Sequence, residues 1–270
     1  KEGTFMEKDI YFKDYLASRV IMDDKIIDGY DKVYYQINED ISDVLLGEDF
    51  TDKDVLSVLA SADQYFMFKA LDAKKVDSFD FNRLTMYYYF LRKWSIKYNN
   101  DVYPDIFYDD SYVENLLEKV EVSSDLEKKA LDFFKRHVSN GSDFSKLFYD
   151  VDAQPSGNTL FQNVRQLKKI VDSDFTFYNM DLFRNNRDLI TKKYDYLYIS
   201  NILDWAREDS SKITIAKDNL LSLLKDNGKV ICSRLVNRSK SGVLSEKKIF
   251  DENFQLHEFA DGKNYMYIKK

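Results

Sequence analysis

The chain has 270 residues, 44% apolar and 32% charged, enough to bury a substantial core and composed as a globular protein. A single cysteine, Cys232, excludes an internal disulfide and a cysteine-rich metal site, and the two histidines, His137 and His257, lie far apart, so no metal site is expected. The net charge of −7 argues against nonspecific nucleic-acid binding, and with no apolar run long enough to span a bilayer and no legible secretory leader, a cytoplasmic home is expected.

The first fifty residues mix short apolar stretches with charges, as in "DKVYYQINEDISDVLL", and read as helices leading into the core. From Asp54 the pattern changes. "DVLSVLA" is a Val- and Leu-rich run suited to a strand covered on both faces, Tyr65 to Leu71 predicts a short helix, and "KKVDSFD" a second strand ending at Asp80. Apolar residues at helical spacing predict a helix from Arg83 to Lys97, with Tyr87, Tyr88 and Tyr89 on it as core or as pocket lining. Strand, helix, strand, helix within about 45 residues is the signature of a parallel sheet with right-handed crossovers.

Residues 99–150 interrupt that rhythm. "SYVE" at Ser111 and "SDLE" at Ser124 are capping boxes that predict two helices, read as an insertion over the sheet in the position of a lid. After the turn cluster "QPSGN", Leu160, Val164, Leu167 and Val171 predict a helix, and "FTFYNMD" a third strand ending at Asp181. A short helix then leads to "YDYLYISN", a fourth strand ending at Ser200 and Asn201. Ile213, Ala216, Leu220 and Leu224 mark an amphipathic helix that Asn227 and Gly228 are expected to stop, with a fifth strand from Lys229 to Ser233. "NFQLHEF" and "NYMYIKK" alternate and are joined by an Asp-Gly hairpin signal, so the chain closes with an antiparallel pair.

Ligands of open parallel sheets bind beyond the carboxyl ends of the strands. Four such ends carry polar groups here: Ser61, Ala62 and Asp63; Asp80; Asp181; and Ser200 with Asn201. Asp80 lies 19 positions beyond Ser61, near the spacing of about 20 at which a carboxylate meets a ribose diol. The first turn has no glycine, and a phosphate there would face Asp63, so NAD and ATP fit poorly. S-adenosylmethionine, cationic and free of phosphate, fits better.

From roughly Tyr34 to Arg234 the order of elements resembles the S-adenosylmethionine-dependent methyltransferase fold. "VLSVLASADQ" is similar to a variant first motif of that family, "VDSFDFNRLTMYYYFLRKWSI" to its second-strand acid followed by an asparagine and a long helix, and "YDYLYISNILDW" to its fourth strand. Leu59 and Ala62 stand where relatives carry glycine. The nearest branch includes transferases of the 3-amino-3-carboxypropyl group in betaine-lipid synthesis. The resemblance implies an α/β, Rossmann-like methyltransferase fold: a mostly parallel seven-stranded sheet, an antiparallel C-terminal strand and a helical insertion. It implies that Ala60, Ser61, Ala62, Asp63 and Gln64 hold the methionine part of the cofactor, that Asp80, followed by Phe81 and Asn82, holds the ribose, and that Met180 and Asp181 meet the adenine edge, with Ser200 and Asn201 completing the site. Residues 1–53 form an N-terminal helical segment on this reading, and residues 54–270 the cofactor domain with its insertion at 99–150.

Displacement at a sulfonium needs positioning and, for an amine or hydroxyl acceptor, a base. Asp63, Tyr198, Asn201 and Asp204 are the candidates nearest the strand tips, and Arg234, Arg238 and Lys240 are candidates to grip an anionic acceptor. The expected function is a transferase, most simply a methyltransferase on a small-molecule acceptor. Two rivals are transfer of the aminocarboxypropyl arm and a non-catalytic binding protein that kept the fold.

Overall fold

The computed structural model describes residues 26–27, 30–31, 33–37, 39–104, 110–139, 144–149, 164–186, 188–206, 208–233, 246–259 and 264–270. Seven strands form one sheet: β1 (Asp54–Val58), β2 (Lys75–Asp80), β3 (Thr176–Asn179), β4 (Tyr194–Ser200), β5 (Leu224–Ser233), β6 (Phe254–Glu258) and β7 (Asn264–Lys269). Their order across the sheet is β3-β2-β1-β4-β5-β7-β6. Pairings from β3 to β5 are parallel, and β7 runs antiparallel to both of its neighbours. This is a Rossmann-like α/β architecture. The chain winds outward through β1, β2 and β3, then crosses back to β4, so the topological switch lies between β1 and β4.

The helices follow from the sequence pattern, with shifted ends. They are α1 (Ser42–Gly47), α2 (Asp63–Ala70), α3 (Arg83–Trp94), α4 (Asp110–Glu118), α5 (Asp125–Ser139), α6 (Val164–Ile170) and α7 (Ser210–Leu223), and α3 continues as a π-helical turn over Ser95–Asn99. Asn82 opens α3 by accepting the Leu84 amide at 3.1 Å, and the Ser124 hydroxyl accepts the Glu127 amide at 3.2 Å. Ser111 falls inside the first turn of α4 rather than before it. The three tyrosines of α3 are core: Tyr89 stacks on Phe175 with centroids 3.8 Å apart, Tyr88 donates to the Tyr35 carbonyl at 2.6 Å, and Tyr87 lies 5.1 Å from Phe133. His137 is buried between Phe133 and Phe144.

Several expectations are corrected. Among the described residues before β1, the only helix is α1; Val33–Tyr34 instead pairs in parallel with Phe148–Tyr149. Among the described residues, helices α4 and α5 pack on α3 and its π turn, through contacts such as Lys93 with Glu127 at 2.7 Å. No helix forms between β3 and β4 among the described residues, because Asn186 holds that segment in turns through its bonds to the Asp181 and Arg184 carbonyls. Asn227 and Gly228 do not stop α7. The helix ends at Leu223, and the pair sits inside β5, where pairing jumps from Tyr194 opposite Leu224 to Tyr196 opposite Lys229 and Asn227 takes a left-handed φ of 60°. Arg234, Arg238, Lys240 and the cluster "QPSGN" lie outside the described residues.

A Cβ on Gly228 would lie 2.8 Å from the Lys225 carbonyl oxygen and 3.0 Å from Leu224 Cδ2. The first contact is backbone and cannot rotate away. Gly228→Ala is therefore expected to lower stability by about 1–3 kcal/mol in urea unfolding, while an alanine at the exposed neighbour Asn227 leaves that contact unmade.

Candidate active site at the strand tips

Strand register brings the expected tips together. Val58 lies opposite Phe79, Asp80 opposite Asn179, and Ser200 opposite Cys232. The Asn179 side chain donates to the carbonyls of Asp80 and Phe81 at 3.0 and 2.9 Å, and the Met180 amide donates to the Asp80 carbonyl at 2.9 Å. Ser61, Asp80, Met180 and Asp181 thus share one edge of the sheet.

The glycine-free turn adopts the backbone that glycine would supply. Ala60 has φ 43° and Ala62 φ 67°, both left-handed, and the Ala62 amide closes the turn on the Leu59 carbonyl at 2.6 Å. An L-residue in that region costs roughly 1–2 kcal/mol, so something must hold the turn. Asp63 does. Its carboxylate is fully buried: Oδ1 accepts from Arg92 Nη1 at 2.7 Å and from the Tyr103 hydroxyl at 2.8 Å, while Oδ2 accepts from the Ser61 hydroxyl at 2.6 Å and the Ile37 amide at 2.5 Å. These four bonds fill the carboxylate's acceptor sites. Arg92, itself buried beneath the Tyr103 ring at 4.4 Å, also donates to the Ser61 carbonyl at 2.6 Å. Asp63 and Ser61 therefore face inward, which corrects the reading of Asp63 as a base or as an acid facing a ligand. Ala60 keeps partial exposure, and Gln64 Oε1 is a buried acceptor without a hydrogen-bond partner.

Asp80 bridges the first two tips. Oδ2 accepts the Ala60 amide at 3.1 Å and Oδ1 the Asn82 amide at 2.9 Å. Next to it Phe81 is 37% exposed. Asp181 is partly exposed, with Oδ1 accepting the Phe183 amide at 2.9 Å and Oδ2 3.7 Å from Arg184 Nε. Met180 is buried and contributes backbone rather than a free side chain.

The fourth tip contains a residue that the sequence reading passed over. Glu39 is buried; its Oε2 accepts the Tyr198 hydroxyl at 2.9 Å and its Oε1 the Ser200 hydroxyl. Ser200 is left-handed, with φ 52°, and Tyr198 also lies 3.3 Å from the Ser233 hydroxyl. Burial pushes the Glu39 carboxyl above the usual carboxylate range; the two hydroxyls pull it back and the nearby Asp204 carboxylate adds to the rise. Burial, reinforced by Glu39, raises the Tyr198 hydroxyl well above its ordinary value, so Tyr198 acts as a donor and not as a base. Asn201 and Asp204 follow in a tight turn closed by the Asp204 amide on the Asn201 carbonyl at 3.0 Å. Ile37, Glu39 and Ile41 are all buried while Asp40 is exposed. That spacing was a partial local signal that Glu39 faces inward, although Gln36 is buried as well.

Among the described residues no cluster of His, Cys, Asp and Glu is arranged to hold a metal ion, and no helix is long and apolar enough to cross a membrane. No family model and no curated protein matches the chain. Among solved structures it is similar to a TehB-like SAM-dependent methyltransferase from Corynebacterium glutamicum (8% identity, 97% of this chain and 100% of that one, TM-score 0.42). It is also similar to the N-methyltransferase NodS from Bradyrhizobium japonicum in complex with S-adenosyl-L-homocysteine (9%, 96% and 98%, TM-score 0.40). A third is a ribosomal protein L11 methylase from Lactobacillus delbrueckii (13%, 84% and 73%, TM-score 0.38). At these identities and scores the likeness carries nothing about activity.

Arg92→Met leaves the Asp63 carboxylate buried without its cation and is expected to cost about 3–5 kcal/mol in denaturant unfolding. Ala60→Gly should act in the opposite direction, raising stability by about 0.5–1 kcal/mol, because relief of the left-handed strain outweighs the extra freedom of the unfolded chain.

Proposed function

We propose that the chain is an S-adenosylmethionine-dependent transferase, most simply a methyltransferase acting on a small-molecule acceptor. The observation that carries this reading is the pairing of a left-handed Ala60–Ala62 turn with Asp80 across the β1 and β2 tips. The turn brings backbone close to a ligand, as glycines do in dinucleotide sites, but its neighbours at the strand tips are the carboxylates of Asp80, Asp181 and Asp204. Such a rim repels pyrophosphate and suits a sulfonium and an ammonium group. The acidic rim also disfavours a nucleic-acid backbone, which supports a small acceptor.

The residues present fit the cofactor. Asp80 presents a carboxylate at the β2 tip, the group type that holds ribose hydroxyls, Gln64 Oε1 is an unsatisfied acceptor of the kind an ammonium group completes, and Phe81 is a partly exposed aromatic beside them. Ala60, partly exposed, lines the methionine side with a small group, Ala62 is buried and supports the turn from the core side, and Asp181, with the Met180 backbone, lies at the adenine side. The cofactor supplies an activated carbon on sulfur; the protein contributes position, exclusion of water and a path for a proton. Asp204 and Asn201 stand on the acceptor side, beyond β1 from Asp80.

Calorimetry with S-adenosylmethionine tests this reading. Binding is expected for the intact protein, with ATP and NAD much weaker, and Asp80→Asn should weaken it at least tenfold, the loss of a charge-assisted bond worth about 1.5–3 kcal/mol. Absence of binding would leave a non-catalytic fold. Release of S-adenosylhomocysteine marks methyl transfer, whereas methylthioadenosine would identify transfer of the aminocarboxypropyl arm.

A further inference from the structure

Three carboxylates are buried at this edge of the sheet; Asp80 accepts two backbone amides, and the other two are treated differently. Asp63 has a guanidinium partner and four hydrogen bonds. Glu39 makes no ion pair with Lys, Arg or His among the described residues; its bonds come from two neutral hydroxyls, those of Tyr198 and Ser200. A buried carboxylate without a cation is costly, so it either holds a proton or waits for a cation. Its place is informative. Asp80 and Met180 lie at the β2 and β3 tips, whereas Glu39 is anchored at β4, with β5 reached through Ser233, on the other side of β1. Near it lie an acid and an aromatic: Asp204 interacts with it electrostatically, and Tyr34, 45% exposed, has its hydroxyl raised by burial and further by Glu39. Carboxylate and aromatic faces together attract protonatable nitrogen.

We propose that Glu39 is the proton acceptor of this site and that the acceptor substrate is a small amine. This deepens the transferase reading and rests on it. The amine nitrogen's lone pair forms the new bond to the carbon carried on sulfur, the carbon–sulfur bond breaks with its electron pair going to sulfur, and the nitrogen's proton passes to Glu39, which becomes a neutral carboxylic acid. A positive sulfonium and a negative carboxylate are thereby replaced by a neutral thioether and a neutral acid, so charge balances. Tyr198 and Ser200 are positioning residues, since their hydroxyls fix both oxygens of Glu39. Burial places the carboxyl nearer neutrality than an exposed one, which is what a general base requires.

The test uses Glu39→Gln, which keeps shape and removes the titration. The titratable groups facing Glu39 are Asp204, Tyr34 and Tyr198, and all three remain in the variant. Because the folded state raises the Glu39 value, the folded protein binds the proton more tightly than the unfolded chain. Stability from this group is complete at acid pH and is lost as pH rises through the folded value. Urea midpoints measured from pH 4 to pH 8 should fall for the wild type relative to Glu39→Gln; parallel curves overturn the assignment, whatever the cofactor does. In a second arm, turnover is followed by S-adenosylhomocysteine or methylthioadenosine release with a panel of ethanolamine, dimethylamine, putrescine and glycine. Glu39→Gln should lose at least a hundredfold in kcat while its affinity for S-adenosylmethionine stays within twofold. Turnover within threefold of wild type, or cofactor binding with no product from any amine, sinks the proposal. Failure of the wild type to bind the cofactor sinks the transferase reading instead, and the urea curves still decide whether Glu39 holds the proton.

Discussion

The buried pair of Asp63 and Arg92 is the constraint on which the site depends. Each ion separately loses several kcal/mol of hydration on burial, and the loss is tolerable because every acceptor site of Asp63 is filled. Those bonds tie together the β1 turn, α3, Tyr103 and the segment at Ile37. With that knot in place, Ala60 and Ala62 are held in a backbone that alanine does not choose. The fold thus reaches by electrostatics what related architectures reach with glycine.

The two edges of the sheet differ in charge. At the amino-terminal edge, Asp54, Asp77 and Asp195 are met by Lys75, Lys192 and Lys225, with Lys225 spanning Asp54 and Asp195 at 3.1 and 2.8 Å. These are structural neutralisations, partly exposed and individually weak. At the carboxyl edge, Glu39 has no such partner among the described residues. The described carboxylate without a cation thus lies at the edge where parallel strands present their ligand crevice.

Much of this architecture was legible in the sequence, for identifiable reasons. The β1 core stands out because a Val- and Leu-rich run suits a strand covered on both faces. The place of Asp80 at the β2 tip beside the Ala60 turn was legible because spacing along a β-α-β unit is local. Asp63 misled because its partner, Arg92, reads as one more basic residue in the last turn of α3. Asn227 and Gly228 misled because the same dipeptide ends helices and shapes bulges, and local pattern cannot separate the two. Glu39 was hidden in a charged stretch; its role depends on hydroxyls 159 and 161 positions further on. Only its alternation with Ile37 and Ile41 was local.

The reversed strand β7 places its first residue, Asn264, at the carboxyl edge, where it accepts from Ser233 at 2.8 Å and donates to the Asp40 carbonyl at 2.7 Å. The backbone beside Glu39 is thus clasped by a side chain 224 positions away. On the ribosome, the cradle formed by β1, β2 and β3 can assemble long before that clasp is translated. The side of the crevice that holds Glu39 is thus completed only when that long-range contact forms, the slower class of folding event, after the local β-α-β units.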